Sequence, residues 1–406
     1  MADLSVNYAG LRLKNPLICS SGPPTDTVDR CVAAANHNFA AVVLKSIMHR
    51  GAGDLRYKHA VPRFKVVDRF RPYERWTPDK GIDNMAVLAA GEVGSVWTEE
   101  QYGIFVDQVK QAVGDEVKVA ASLMGPRNPQ GYDEYFELFS KTKADFIEID
   151  FGYARYYKRP DDAVEVIKRA KNKLSVPVTV KMCPFLTDPL EIALMFQNAG
   201  ADGITMFDAA AGLDFDISGM RLPFRNTWSF IAPGVTLPYT NLCIAGARLN
   251  NVTISLSASF GVWQWEDVIK CIMSGADAVQ LCRRIMVRGY KEATAFLEKI
   301  NAWLDQNGYK SIGELRGKVL DKLLVDPRQI PREEPIERGG IPSLKAAVDK
   351  DKCQGCVDLC TRGCLYFANR SVGGKADVDE SKCGGCGMCE GICPYGAISL
   401  VPRVTS

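Results

Sequence analysis

Eight of the chain's fourteen cysteines lie between Cys353 and Cys393, and their spacing limits what this stretch can fold into. The second group reads Cys383-Gly-Gly-Cys386-Gly-Met-Cys389-Glu-Gly-Ile-Cys393-Pro394. In a C-x2-C-x2-C-x3-C-P run the first three thiolates converge on one [4Fe–4S] cluster, and the fourth turns away to serve a second. The intervening glycines permit the tight backbone that such convergence needs. The first group reads Cys353-Gln-Gly-Cys356-Val-Asp-Leu-Cys360-Thr-Arg-Gly-Cys364, with one more residue in its middle gap and no proline behind it. Crossed ligation then predicts one [4Fe–4S] cluster on Cys353, Cys356, Cys360 and Cys393, and another on Cys364, Cys383, Cys386 and Cys389. Paired zinc sites and disulfides are the competing uses of such cysteines, although zinc sites typically pair two separated C-x2–4-C knuckles.

A chain of 406 residues is longer than one ordinary domain. Its 47% hydrophobic and 24% charged content is that of a soluble globular protein. A net charge of +2 gives no reason to expect nucleic acid or a charged membrane surface as partner. No apolar run approaches the ~18 residues of a spanning helix, and the start, Met-Ala-Asp-Leu-Ser-Val, lacks the basic and apolar regions of a signal peptide. The other six cysteines, Cys19, Cys31, Cys183, Cys243, Cys271 and Cys282, have no pairing rhythm. Reduced thiols in a cytoplasmic protein are expected.

A short hairpin pattern over Leu4–Leu13, turning at Ala9-Gly10, opens the chain. Apolar runs rich in β-formers then alternate with helix-period segments: Pro16–Ser21, Ala41–Ile47, Val117–Met124, Phe146–Phe151, Val176–Met182, Gly203–Phe207, Thr253–Ser257 and Ala278–Cys282. Strands buried on both faces read as continuous apolar stretches, so eight such runs predict an α/β fold, a (β/α)8 TIM barrel. The pattern exceeds the ~250 residues usual for such a barrel. The surplus falls in Met48–Glu116 and Ala210–Asn251, both after strand C-termini, where lids and substrate walls are built. The expected domains are a barrel over 1–325, a proline-broken linker over 326–343, and a small α+β ferredoxin-like domain over 344–406.

The barrel residues resemble a known family. Asn15-Pro16 with Cys19-Ser20-Ser21-Gly22, then Val43-Leu44-Lys45-Ser46, look like the start of the dihydroorotate dehydrogenases and of the flavin domain of dihydropyrimidine dehydrogenases. Pro62-Arg63-Phe64, Ala121-Ser122-Leu123-Met124 with Asn128, and Pro177-Val178-Thr179-Val180-Lys181 with Thr187-Asp188 follow in order. Gly200-Ala201-Asp202-Gly203 and Ser274-Gly275-Ala276 with Val279-Gln280 match the last strands. The bacterial dihydropyrimidine dehydrogenase subunit also carries a C-terminal two-cluster ferredoxin module. The resemblance implies FMN at the barrel mouth, with Ser20, Lys45, Asn128, Asp150, Lys181, Ser257, Ser259, Arg283 and Arg284 at cofactor-binding positions. Lys181 would face the flavin pyrimidine edge and stabilise the negative charge of reduction. Lys45 would lie near both flavin and substrate.

Several positions depart from the family pattern. Asp150 stands where an asparagine is expected after the fourth strand, and Asp208-Ala209 where Asn-Thr is expected after the sixth. A carboxylate only accepts hydrogen bonds, so the substrate position at Asp208 is chemically altered. The seventh strand has Ser257-Ala258-Ser259 in place of a Gly-Gly phosphate turn, and the eighth ends in Cys282-Arg283-Arg284. No cysteine or serine acid follows the fourth strand, so Tyr153, Tyr156 and Tyr157 are the candidate proton donors, with Lys45 beside them in the catalytic set. The resulting expectation is an oxidoreductase passing electrons between two [4Fe–4S] clusters and FMN and acting on a CH–CH bond of a small cyclic or conjugated substrate. Ferredoxin or an NAD(P)H-oxidising flavoprotein subunit would be its electron partner, in a homo- or hetero-oligomer. The alternative is a non-catalytic electron-transfer or scaffold subunit.

Overall fold

Eight parallel strands close on themselves in a computed structural model that describes residues 1–48, 63–68, 77, 79, 85–90, 95, 97–126, 128–151, 160–184, 188–212, 229–231, 236–323, 342–356 and 358–403. The chain divides into two compact units, Met1–Leu323 and Leu324–Ser406. In order, the strands of the first are β1 (Val6–Tyr8), β2 (Leu11–Leu13), β3 (Leu17–Cys19), β4 (Ala41–Val43), β5 (Ile47–Met48), β6 (Arg63–Asp68), β7 (Met85–Ala90) and β8 (Lys118–Met124). They continue with β9 (Phe146–Asp150), β10 (Val178–Lys181), β11 (Gly203–Met206), β12 (Ala210–Gly212), β13 (Ser229–Ile231), β14 (Ser255–Ala258) and β15 (Ala278–Leu281). The barrel runs β3-β4-β8-β9-β10-β11-β14-β15 and returns to β3.

Every residue of β3, β4, β9, β10, β11 and β15 is buried, because one face looks into the barrel and the other packs on helices. The helices start where their sequences provide caps. Thr98 and Gln101 form a reciprocal capping box on the helix Glu99–Val113. Asp188 accepts from Leu190 and Glu191 at the start of Pro189–Asn198, with Pro189 in the first turn.

The hairpin turns through Ala9 and Gly10, both at positive φ, as a tight two-residue connection requires. It seals the N-terminal end of the barrel. Tyr8, Leu13, Ile18, Val43, Ala120 and Phe146 form a separate apolar cluster there, and Ala9 N–H donates to Ser255 Oγ at 2.8 Å.

Two details differ from the sequence expectation. The second apolar run splits into β4 and β5, because Lys45 N–H donates to Thr25 O at 3.1 Å and Ser46 N–H to Ser21 Oγ at 3.1 Å instead of to a strand. The seventh strand is shifted toward Ala258 and pairs there with Val279. The two long insertions meet. Strands β6 and β7 from the first and β12 and β13 from the second form one antiparallel sheet, ordered β12-β13-β7-β6.

In the second unit β16 (Leu344–Val348) pairs antiparallel with β19 (Ile398–Pro402), and β17 (Asn369–Val372) with β18 (Lys375–Val378). Short helices Asp358–Arg362 and Met388–Ile392 complete it. Among the described residues no helix is long and apolar enough to cross a membrane.

Candidate active site and cluster ligands

Side-chain alternation stacks the barrel interior in layers. Phe146 belongs to the apolar floor, and Glu148 and Asp150, two and four residues on along β9, share its face. Above the floor lies a closed polar network. Glu148 Oε2 accepts from Thr205 Oγ1 at 2.9 Å and from Gln280 Nε2 at 2.7 Å. Thr205 Oγ1 in turn accepts from Gln280 Nε2 and from Ser257 Oγ, both at 2.9 Å. Ser257 Oγ also meets Tyr8 OH at 3.1 Å, which ties the network to the hairpin below. Burial, with the Glu148 charge nearby, pushes the Tyr8 pKa up to about 12.

Lys181 closes the top of this network. Its Nζ lies 2.8 Å from Glu148 Oε1 and 3.4 Å from Ser20 Oγ, and Ser20 donates to Gln280 Oε1 at 2.8 Å. Glu148 is wholly buried and Lys181 only 2% exposed. Oε1 has no aligned hydrogen-bond donor, so its contact with Lys181 is one of charge. Burial alone would strip the ammonium of its proton. The carboxylates of Glu148, Asp150 and Asp208 outweigh that and hold the Lys181 pKa above the ordinary lysine range. Breaking such a buried pair by removing one partner costs about 3–5 kcal/mol.

Ser20, Lys181, Asp150 and Asp208 therefore gather at one end of the barrel. Lys45, half-buried, lies two residues past the end of β4. A second hydroxyl chain runs beside it, Ser21 Oγ to Ser46 Oγ to Ser122 Oγ, each step 2.9 Å. Asn128 is exposed and caps the turn Pro129–Tyr132, its Oδ1 accepting from Gly131 N–H at 2.7 Å. Ser257 is engaged inside the barrel, while Ser259 follows β14 half-buried with its N–H donating to Met206 O at 2.7 Å. Arg283 and Arg284 open the short helix Arg283–Arg288 directly after β15. Arg284 pairs with Glu292 at 2.8 Å and 2.5 Å and lies over Trp263 and Phe296, yet its buried Nη1 has no hydrogen-bond partner. Tyr153, Tyr156 and Tyr157 lie outside the described residues.

This donor set fits a flavin phosphate and an anionic ring edge. An orphaned guanidinium nitrogen sits at a short helix after the last strand, the usual place of a barrel phosphate site. A fixed cation lies at the top of the interior. Held there, FMN would supply reversible two-electron transfer.

In the second unit the cysteines gather around two cavities of similar size, about 340 and 300 Å³ including their open mouths. Cys353, Cys356, Cys360 and Cys393 line one; Cys364, Cys383, Cys386 and Cys389 line the other. Among the described residues no three Cys, His, Asp or Glu side chains converge closely enough for a single metal ion. Backbone N–H groups point at sulfur in both cavities, among them Ala376 to Cys353 (3.4 Å), Ala346 to Cys383 (3.4 Å), Ala368 to Cys364 (3.2 Å) and Ala397 to Cys393 (3.3 Å). The first of these, with Gly355 N–H, holds the Cys353 thiol below its usual range. Two glycines of the cysteine loops are required. At Gly355 (φ +73°) a Cβ would lie 2.3 Å from Gly374 O, and at Gly385 (φ +64°) 2.5 Å from Leu344 O. Two cavities, each ringed by four cysteines with N–H donors aimed at sulfur, fit [4Fe–4S] clusters.

Glu148 and Thr205 were not among the residues picked out in the sequence, and Gln280 stood there only as part of a strand motif, with no site role. A signal existed for the first: an acid inside an apolar strand run, two residues before Asp150 and so on its face.

A family model described as a 4Fe-4S binding domain matches residues 376–399. The NAD-dependent dihydropyrimidine dehydrogenase subunit PreA of Escherichia coli (strain K12) is 24% identical over 98% of this chain and 95% of its own length. The catalytic subunit of dihydroorotate dehydrogenase B (NAD(+)) from Pyrococcus abyssi is 24% identical over 78% of this chain and 99% of its own. The chloroplastic dihydropyrimidine dehydrogenase (NADP(+)) of Arabidopsis thaliana is 23% identical over 86% and 84%. With its closed barrel and 4Fe-4S binding region, the chain is thus a homologue of dihydropyrimidine dehydrogenases and of the catalytic subunits of dihydroorotate dehydrogenase B.

Proposed function

We propose that the protein is an FMN- and iron–sulfur-dependent oxidoreductase that adds or removes two electrons and protons across a carbon–carbon bond of a small ring substrate. The observation that carries this reading is Lys181, a buried ammonium kept charged at the top of the barrel interior. Such a cation stabilises negative charge developing on a bound redox ring, and does so without reorganising. Ser20, itself donating to Gln280, holds it from one side and Glu148 from below. Asp150 and Asp208 in their carboxylate forms only accept hydrogen bonds, so the substrate edge facing them carries N–H or O–H donors. The proton needed at carbon falls to the tyrosines Tyr153, Tyr156 and Tyr157, with Lys45 near the reacting ring.

The two cysteine-lined cavities would hold two [4Fe–4S] clusters and bring electrons singly, either from reduced ferredoxin or from a partner subunit that oxidises a nicotinamide. The E. coli relative is by its name a subunit of an NAD-dependent enzyme. A barrel domain of 1–325, a linker of 326–343 and a cluster domain of 344–406 in the cytoplasm complete the proposal.

Anaerobic purification tests it directly. About eight irons per chain and one extractable FMN are expected, with flavin bleaching on reduction and recovering when a donor-rich unsaturated heterocycle is added. Protein with clusters but no flavin would instead make the chain an electron-transfer or scaffold subunit. Lys181→Ala is expected to leave the flavin harder to reduce; an unchanged midpoint would remove Lys181 from the ring.

A further inference from the structure

The pairing of β9 with β10 sets Lys181 opposite Asp150 and Thr179 opposite Glu148. The Lys181 ammonium nevertheless meets Glu148, with 2.8 Å between Nζ and Oε1. Its side chain therefore leans back along the strand, toward the barrel floor and away from the mouth. Glu148 is fixed where it stands, because its Oε2 accepts from Thr205 at 2.9 Å and from Gln280 at 2.7 Å. Its Oε1 has no aligned hydrogen-bond donor among the described residues and faces the lysine as charge.

Two further carboxylates act on the same ammonium, Asp150 and Asp208, and both lie closer to the mouth than Glu148. Asp150 stands two residues farther along β9, about 6–7 Å up the strand. Asp208 follows β11, and its N–H donates to Met182 O at 2.8 Å, one residue past Lys181. Of the three carboxylates, Glu148 is thus the one that pulls the cation inward. With Glu148 made neutral, Asp150 and Asp208 would still keep the lysine charged and would draw it toward the mouth. Two changes would then reach a ring held there: the cation comes closer, and a buried negative charge is gone. Both favour added negative charge on the ring, since the interaction of charges grows as their separation falls.

We propose that Glu148 is a positioning residue that holds the Lys181 ammonium back inside the barrel and so keeps a bound flavin harder to reduce than the cation alone would make it. Lys181 and Glu148 then act in opposite directions on one potential: the lysine raises it and the glutamate lowers it. A pair that served only to bury the lysine would affect stability and leave the potential where it is. The proposal rests on the reading that FMN binds at the barrel mouth beside Lys181.

The test is a spectroelectrochemical titration of the flavin in the full anaerobic protein, with FMN content and thermal stability measured on the same samples. Glu148→Gln keeps the shape of the side chain, and its amide oxygen can still accept from Thr205 and Gln280. It is expected to raise the two-electron midpoint by about 30 mV, a tenfold gain in the reduction equilibrium. Glu148→Asp keeps the charge but draws it back from the ammonium on a shorter arm. It is expected to raise the midpoint by about 14 mV, a threefold gain. Tyr8→Phe removes a hydrogen bond from the same network without touching a charge, and its midpoint is expected to stay with the parent's. If Glu148→Gln binds FMN and its midpoint is unmoved or lowered, or if Tyr8→Phe moves it as far, the proposal is overturned. Where Glu148→Gln fails to fold or to hold FMN, Glu148→Asp decides alone: a midpoint that does not rise overturns it. A parent protein without FMN would overturn the reading of the barrel mouth itself, an outcome distinct from an unmoved midpoint.

Discussion

The barrel mouth and the cluster unit solve the same problem, holding charged redox chemistry inside protein, by opposite means. In the second unit all eight cavity-lining cysteines come from one continuous stretch, and the polar partners of their sulfurs are mostly backbone N–H groups. At the barrel mouth the partners are side chains drawn from Ser20 to Gln280, each brought up by a different strand. Backbone donors leave the sequence nearly free between the cysteines, apart from glycines where a Cβ would strike a carbonyl. Side-chain donors fix identity at each position, because a buried network of Glu148, Thr205, Ser257 and Gln280 loses bonds when any one member is replaced.

Substitutions can break this comparison, and the largest effect is expected from Cys393→Ala. It should empty the cavity of Cys353, Cys356 and Cys360, removing about half of the iron, while the cavity of its sequence neighbours Cys383, Cys386 and Cys389 keeps its cluster. Iron analysis with EPR reads this, and loss of the neighbours' cluster instead would undo the crossed assignment.

Next in size is Glu148→Ala, which takes from buried Lys181 its ion-pair partner, leaving only the carboxylates of Asp150 and Asp208, and is expected to cost about 3 kcal/mol of barrel stability. Denaturant melts of the parent and variant measure it. Replacing both residues, Glu148→Met with Lys181→Met, should cost clearly less than Glu148→Ala alone, which no backbone-held site would show.

Gly385→Ala is expected to cost about 2 kcal/mol, from a left-handed conformation and a Cβ pressed on Leu344 O, and to act only on the cluster unit. Limited proteolysis around Cys386, compared with Gly373→Ala, gauges it. Gly373 is at positive φ too, but nothing lies within 4 Å of its Cβ position, so its variant carries the conformational cost alone.

The smallest effect is expected from Tyr8→Phe, a loss of about 1 kcal/mol at neutral pH for one hydrogen bond to Ser257. The folded-state pKa of Tyr8 is raised, so its neutral form contributes stability that is complete below pH 10 and is lost as pH rises toward 12. The gap between parent and variant should therefore narrow above pH 10. A gap constant from pH 8 to pH 11 would remove Tyr8 from the network.

The same contrast explains what was legible in the sequence. The barrel strands could be read because burial on both faces leaves long apolar runs, and the cysteine sets because their ligands are local. The break between β4 and β5 could not, since it depends on Lys45 and Ser46 turning to Thr25 and Ser21. The joining of two distant insertions into one sheet depends on long-range pairing that neither segment encodes. Lys181 stood out as a cation at a strand end, whereas Gln280 and Thr205 look like ordinary strand residues until the barrel closes.

The three carboxylates around Lys181 carry a consequence for the flow of protons. An ammonium whose pKa is raised above the ordinary lysine range keeps its proton near neutral pH, so it is poorly suited to give a proton to a substrate or take one back. It works as a permanent charge, indifferent to the acidity of the medium. Turnover that varies with pH must then be governed by groups other than Lys181, and the rate profile of a Lys181→Arg enzyme should keep the parent's shape even where its height falls.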